Sequence, residues 1–180
     1  RKPHRNVRNF QCLWDQILSL KQVSRPHGEL FEYRSIETDV LAHCMERVTR
    51  TRLADLVSQE LWQPLGAQEN ACFTIDSAGY SLANGGFNAT LRDYSRFGQM
   101  LCNGGIGNGK QIVPIEWLND TFNANPKIFG EPYNDGLQNG AYRNQFWIRD
   151  VNRKVMMARG VFGQLIYVDI DNQLTITRLA

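Results

Sequence analysis

"YRNQFWIRDVNRKVMMARGVFGQLIYVDIDNQLTITRLA", residues 142–180, closes the chain with a texture of its own. Apolar or alternating runs over 142–150, 154–160, 163–171 and 173–180 are separated by turn-forming residues. Short runs of this kind, rich in β-branched and aromatic residues, are typical of antiparallel strands. The segment therefore predicts a meander of three or four antiparallel strands.

The preceding two thirds of the chain have a helical period. Apolar residues recur at three- and four-residue spacing over 7–23, 36–49, 53–61 and 91–101. An Asn-, Gly- and Pro-rich stretch over 123–141 predicts a long loop. Helices followed by a meander predict an α+β fold. We expect one domain, with residues 1–141 mainly helical with cleft loops and 142–180 forming antiparallel strands.

Short polar residues predict where the helices begin. We expect N-caps at Ser35, Thr51 and Thr90, because each hydroxyl precedes an apolar helical pattern. Thr90 and Asp93 resemble a capping box in which Asp replaces the usual Glu. In the helix over 36–49, one stripe of residues is predicted to be buried: Ile36, Val40, Leu41, Cys44 and Val48.

Composition bounds the classes of function. The chain has 180 residues, 42% hydrophobic and 21% charged, with a net charge of +2. These values are typical of a globular domain and predict neither a nucleic-acid nor a membrane partner. No apolar run approaches the ~18 residues that span a bilayer. No cysteine pair has the CxxC spacing of a zinc site, so neither metal nor cofactor is predicted.

Tyr33 lies where an extended segment, residues 29–33, meets the predicted helix at Ser35. A tyrosine at such a junction is either a packed aromatic with a satisfied hydroxyl or a proton-transfer group that faces a cleft. Spacing alone favours the packed aromatic.

The order of several segments along the chain reverses this interpretation of Tyr33. The stretches at 27–41, 53–76, 85–105, 142–148 and 158–171 together resemble the serine hydrolase superfamily of class C β-lactamases and penicillin-binding proteins. The chain is most similar to the branch of 6-aminohexanoate-dimer hydrolases. The resemblance implies a partial β-lactamase/transpeptidase-like fold and hydrolysis of a small-molecule amide or ester through an acyl-enzyme. A linear amide, a β-lactam and an ester remain alternative substrates.

The resemblance also implies site residues. Tyr33-Arg34-Ser35 resembles the second motif of the family, which implies that Tyr33 works with the motif lysine to transfer the proton of the nucleophilic serine. Ser35 would place its hydroxyl beside the substrate or beside that lysine. Ala158-Arg159-Gly160 would occupy the place of the Lys-Thr-Gly triad. The backbone amide of Val161 would then form half of the oxyanion hole, and Gly160 would allow substrate to approach the backbone. The alternative for this stretch is an ordinary turn between two strands.

Three further positions are candidates for contact with substrate. Phe162 stands where related sequences commonly have His, which bears on substrate preference. Asn84 and Asn88 could line the cleft, although a residue such as Asn88 or Thr90 is more often a cap or turn former.

The family's Ser-x-x-Lys nucleophile is absent from this sequence, since no Ser lies three residues before any Lys. The chain begins at Arg1 without Met, which predicts that it is part of a longer protein and leaves the compartment, cytoplasmic or periplasmic, open. We expect this chain to be inactive without the N-terminal part of the same fold, because a catalytic unit that lacks one member loses nearly all its activity. The alternatives are a non-catalytic binding module or pseudoenzyme and an unrelated α+β structural domain.

Overall fold

A five-stranded antiparallel sheet forms the C-terminal part of the computed structural model, which describes residues 11–21 and 25–180. Its strands follow chain order: β5 Ala141–Arg143, β6 Phe146–Asp150, β7 Val155–Arg159, β8 Leu165–Asp169 and β9 Leu174–Arg178. The predicted count of three or four strands is wrong. Asn144 and Gln145 take positive φ values of 50° and 68° and make a tight turn that divides the first predicted run into β5 and β6.

Four short strands form two hairpins earlier in the chain. They are β1 Cys72–Phe73 with β2 Phe87–Asn88, and β3 Ile106–Gly107 with β4 Lys110–Gln111. The predicted loop over 123–141 runs as far as β5 and contains two 3₁₀ turns, Pro126–Ile128 and Asn134–Gly136.

The helices account for most of the regular secondary structure outside the strands. They are α1 Leu13–Ser19, α2 Ser35–Thr49, α3 Leu53–Val57, α4 Gln63–Leu65, α5 Leu91–Cys102 and α6 Ile115–Phe122. A π-helical turn over Ser58–Trp62 joins α3 to α4. The helix predicted over 7–23 lies partly outside the described residues, and α1 ends before Leu20, whose backbone is extended. With helices followed by an antiparallel sheet, the α+β prediction is confirmed.

The main core lies between the sheet and α5. Its fully buried members come from the sheet, from α5 and from α6, and include Met100, Leu101, Leu118, Ile148, Met156 and Val168. Gly98 allows this close contact, since a Cβ there would lie 2.4 Å from Thr175 Oγ1. The Thr90 cap is confirmed, because its hydroxyl accepts from the amide of Asp93. This packing fixes the position of the sheet. The end of β7 and the start of β8 reach the site described below.

The buried face of α2 differs from the prediction. The helix is present, but Asp39, Ala42 and His43 are its buried residues, whereas Leu41 and Val48 are 50% and 85% exposed. The predicted stripe is therefore wrong as a buried face. The buried Asp39 carboxylate accepts hydrogen bonds from Asn84, so a polar side chain is buried at a position outside the apolar stripe.

Two of the three predicted caps are wrong. Arg34 precedes α2 as its cap residue and Ser35 is the first helical residue, with no side-chain cap bond. Arg52, not Thr51, precedes α3. The first amide of α3 is instead satisfied from α2, where Glu46 Oε1 accepts from Leu53 N at 2.8 Å. A carboxylate from a neighbouring helix thus replaces the local hydroxyl.

The described residues contain neither a candidate membrane-spanning helix nor a candidate metal-binding group. Within residues 11–21 and 25–180, no helix has the length and hydropathy needed to cross a membrane. In the same part of the chain, no group of three or more His, Cys, Asp or Glu side chains is arranged to hold a metal ion.

Candidate active site

One cavity of about 720 Å³ brings together most of the candidate residues. It lies where the start of α2 meets the loop before β2, the loop over 132–136 and the ends of β7 and β8. Five of the predicted site residues line it: Tyr33, Ser35, Asn84, Gly160 and Val161. Asn88 and Phe162 are not among its lining residues.

Tyr33 stands at the cavity wall with its ring held by aromatic neighbours. It is 38% exposed, so the ring is not sealed in the core. The ring stacks on Trp147 at 5.4 Å and meets Tyr142 edge-on at 5.8 Å. The Tyr33 amide donates to Tyr133 Oη at 3.0 Å. Backbone and ring are thus both fixed, which limits the positions that the Tyr33 phenol can reach.

Tyr142 differs from Tyr33 in its surroundings. Burial raises the pKa of Tyr142, and the nearby Tyr33 raises it further. Its hydroxyl lies 3.1 Å from Gln145 Oε1, to which it donates a hydrogen bond. Tyr142 does not line the cavity. We conclude that Tyr142 stays protonated and structural, and that Tyr33 is the phenol of this pair that faces the cavity.

The Val161 amide is held at the end of β7. Gly160 N donates to Gln164 O at 2.9 Å and closes a 3₁₀ turn over Val161–Gly163. No residue in the described parts of the chain accepts a hydrogen bond from Val161 N. An amide without an internal partner, on a turn that lines a cavity, is suited to donate to a substrate oxygen.

Phe162 occupies the middle of the same turn. Its φ is 60°, in the left-handed region, and its side chain is 90% exposed. The ring therefore points away from the core and is not part of the cavity wall. A substrate contact by Phe162 in this conformation is not supported.

The two asparagines hold the loop that faces α2. Asn84 N and Nδ2 donate to the two carboxylate oxygens of Asp39, at 3.0 and 2.6 Å. Asn88 Nδ2 donates to Gly86 O at 2.7 Å. Asn84 therefore contributes to the cavity wall while its amide nitrogen is engaged, and Asn88 bonds within its own turn, which is the alternative role given for Asn88.

Ser35 lines the cavity beside Tyr33. Because it makes no cap bond to its own helix, its hydroxyl is available to the cavity. Because Ser35 does not cap α2, its hydroxyl can bond a substrate without giving up a hydrogen bond to the helix.

Two arginines set the charge of the cavity. Arg159 and Arg178 line it, and no Asp or Glu does so within the described residues. The Arg159 guanidinium lies over the Trp147 ring, 5.4 Å from its centroid. Arg178 Nε donates to Gly163 O at 2.7 Å. The cavity therefore combines a positive rim with an aromatic wall.

Three residues that the sequence did not predict form this wall or hold it in place. Trp147 and Tyr133 contact or support Tyr33, and Asp39 anchors the opposite loop. Strand alternation gave a signal for Trp147 only, since it places Trp147 on the face opposite the buried Phe146 and Ile148.

Comparison with known proteins gives a consistent result. The Beta-lactamase family model matches residues 3–180. The 6-aminohexanoate-dimer hydrolase of Paenarthrobacter ureafaciens is 32% identical over 152 residues, which are 83% of this chain and 39% of that protein.

Two solved structures are also similar. A Bacillus anthracis protein assigned as a 6-aminohexanoate-dimer hydrolase superposes with a TM-score of 0.81 at 32% identity, over 92% of this chain and 42% of its own. A Bacteroides dorei protein assigned as a β-lactamase gives 0.71 at 19% identity, over 99% and 59%. The chain spans about two fifths of the length of the first two relatives, 39% and 42%.

Proposed function

Because the chain belongs to the β-lactamase family of serine hydrolases, we propose that it is the C-terminal portion of an enzyme that cleaves amide or ester bonds through an acyl-enzyme. Its share of the machinery is Tyr33, the Val161 amide and the cavity wall between them. The proposal requires a nucleophilic Ser-x-x-Lys segment, which these 180 residues do not contain.

One observation carries the proposal. Tyr33 and Val161 are far apart in sequence, yet both line the same cavity, and no described residue accepts from the Val161 amide. A proton-transfer group and an unpaired donor in one cavity are the two features that acyl transfer needs around the reacting carbonyl.

The reaction then follows in two steps. The serine oxygen attacks the substrate carbonyl, and the oxyanion that forms accepts a hydrogen bond from Val161 N. The Tyr33 hydroxyl relays the proton: its oxygen accepts the serine proton while its own proton passes to the leaving amine or alcohol as the scissile bond breaks. Water then attacks the acyl-enzyme, which releases the acid and restores the serine. No step needs a metal or an organic cofactor.

The cavity favours a substrate that carries a carboxylate. Arg159 and Arg178 supply positive charge, and no acidic residue in the described part of the chain lines the cavity to offset it. Trp147 gives an apolar surface for a short chain. The dimer named for the Paenarthrobacter relative is an amide with one carboxylate end. We therefore propose a linear amide of an amino acid as the substrate class and N-acetyl-6-aminohexanoate as its simplest probe.

The proposal predicts that the 180-residue chain alone does not hydrolyse p-nitrophenyl acetate above the buffer rate. Without the serine there is no acyl-enzyme, and the remaining groups only bind. The measurement is release of p-nitrophenolate, together with a test for covalent labelling by a serine-directed phosphonate. Turnover by the chain alone that Tyr33→Phe abolishes would contradict the proposal.

A binding module or pseudoenzyme is the other function that the missing Ser-x-x-Lys favours. The two are separated by joining the chain to the N-terminal part of the Paenarthrobacter hydrolase and assaying the product. Turnover that depends on Tyr33 supports the enzyme, whereas a folded product that binds the probe without turnover supports the module.

A further inference from the structure

A second cavity, of about 390 Å³, lies at the C-terminal end of α2. It shares no lining residue with the cavity around Tyr33. Three arginines and three aromatic rings account for most of its wall. Nothing in the proposed hydrolase reaction uses it.

The charge of this cavity is unbalanced. Arg47, Arg50 and Arg52 line it against a single carboxylate, Glu46, which leaves a formal charge of +2 with the histidine neutral. Arg52 is engaged, since it donates to Gly79 O and lies over the Tyr80 ring. Within the described residues, the side chains of Arg47 and Arg50 have no hydrogen-bond or ion-pair partner. Two guanidinium groups are therefore available to an anion.

The opposite wall is aromatic. The His43 ring is 9% exposed and lies between the rings of Trp14, at 4.9 Å, and Tyr80, at 4.6 Å. These contacts fix the three rings as one surface beside the arginines. A flat or apolar body can pack on it while its charged group reaches the guanidinium groups.

Arg50 is held in a conformation that arginine seldom adopts. It follows the last residue of α2 with φ 56° and ψ 27°, in the left-handed region where helices usually place glycine. A side chain with a Cβ is disfavoured there. Glycine would relieve the backbone at this position, and the chain instead places there a guanidinium group that has no partner within the described residues.

We propose that this cavity binds a small organic phosphate monoester. The phosphate dianion matches the formal charge of +2, and Arg47 and Arg50 hold its oxygens with charge-assisted hydrogen bonds. The organic part of the ligand packs against Trp14 and Tyr80.

Isothermal titration of the 180-residue chain with phenyl phosphate tests the proposal. We expect binding to one site, weaker binding of inorganic phosphate, which lacks the ring, and no binding of phenol, which lacks the charge. Binding of benzoate as tight as that of phenyl phosphate would overturn the choice of a phosphate. Absence of heat from phenyl phosphate up to about 10 mM would overturn the site itself.

The variant Arg50→Gly separates binding from folding. Because glycine suits the left-handed position, Tm should stay equal or rise, while the affinity for phenyl phosphate falls about tenfold or more. Arg47→Gln should weaken binding similarly, and Arg149→Gln, an exposed arginine on β6 that lines neither cavity, should not. Unchanged affinity in Arg50→Gly would overturn the proposal. None of these readouts depends on hydrolase activity.

Discussion

Tyr33→Phe is expected to lower kcat for p-nitrophenyl acetate about 10²–10⁴-fold in the enzyme formed by joining this chain to the N-terminal part of the Paenarthrobacter hydrolase. The substitution removes only the hydroxyl. The ring therefore still stacks on Trp147, and the backbone amide of residue 33 still donates its hydrogen bond to Tyr133. KM should change little, because the phenol acts on the proton and not on ground-state binding. Steady-state kinetics of the joined protein measure both constants.

Tyr142→Phe is the matched control. Its ring belongs to the same aromatic cluster as Tyr33, but its hydroxyl is bonded to Gln145 and it does not line the cavity. We expect kcat within a few-fold of the unsubstituted protein. If Tyr33→Phe and Tyr142→Phe lowered kcat equally, the aromatic cluster, and not the Tyr33 phenol, would support the reaction.

Asp93→Ala is expected to lower the free energy of unfolding by about 3 kcal/mol, a large loss for a single substitution. The carboxylate is fully buried and accepts hydrogen bonds from the amides of Gln68 and Glu69, from the Thr90 hydroxyl and from Arg96. Removing it leaves buried donors without an acceptor. For a chain of this size Tm should fall by roughly 6–12 °C. Thermal unfolding followed by circular dichroism measures it.

Two variants complete that test. Asp93→Asn keeps the shape and one acceptor but loses the charge, so a smaller loss is expected. Asp135→Ala, at an exposed loop position, should change stability by no more than about 0.5 kcal/mol. A Tm for Asp93→Ala equal to that of Asp135→Ala would exclude Asp93 as the centre of this network.

The same carboxylate gives stability a defined pH dependence. Burial alone would raise the pKa of Asp93, but the donors from Gln68, Thr90, Glu69 and Arg96 outweigh it and hold the pKa below its ordinary value of 3.8. Because the folded-state pKa is depressed, this contribution is fully present above 3.8 and is lost as the pH falls through the folded-state pKa. Asp93→Asn should remove this part of the acid sensitivity.

Periodicity predicted the helices well and their buried faces less well. The pattern of α2 identified a helix that the structure confirms, but the burial of Asp39 depends on Asn84, which is distant in sequence. The turn at Asn144 and Gln145 lacks the glycine that usually marks a two-residue hairpin, so one strand was missed. Long-range partners and unusual φ values are not visible in a hydrophobic pattern.

The candidate site came from resemblance and not from spacing. Tyr33 alone favoured a packed aromatic, and the ordered segments of the family reversed that interpretation. The cavity wall around Trp147 and Arg159 results from the pairing of β6 with β7, in which Trp147 lies opposite Met157. Alternation indicates which face of β6 carries Trp147 but not which strand pairs with it, so the contact with Arg159 could only be seen in the structure.

The central claim is that the residue 33 phenol and the residue 161 amide serve one pocket, and an NMR titration of the chain with N-acetyl-6-aminohexanoate tests it most directly. We predict that the Val161 amide and the Tyr33 ring protons shift together, with one dissociation constant, while Phe162 ring protons shift little. A response at Val161 without one at Tyr33, or no response at either, would contradict the account.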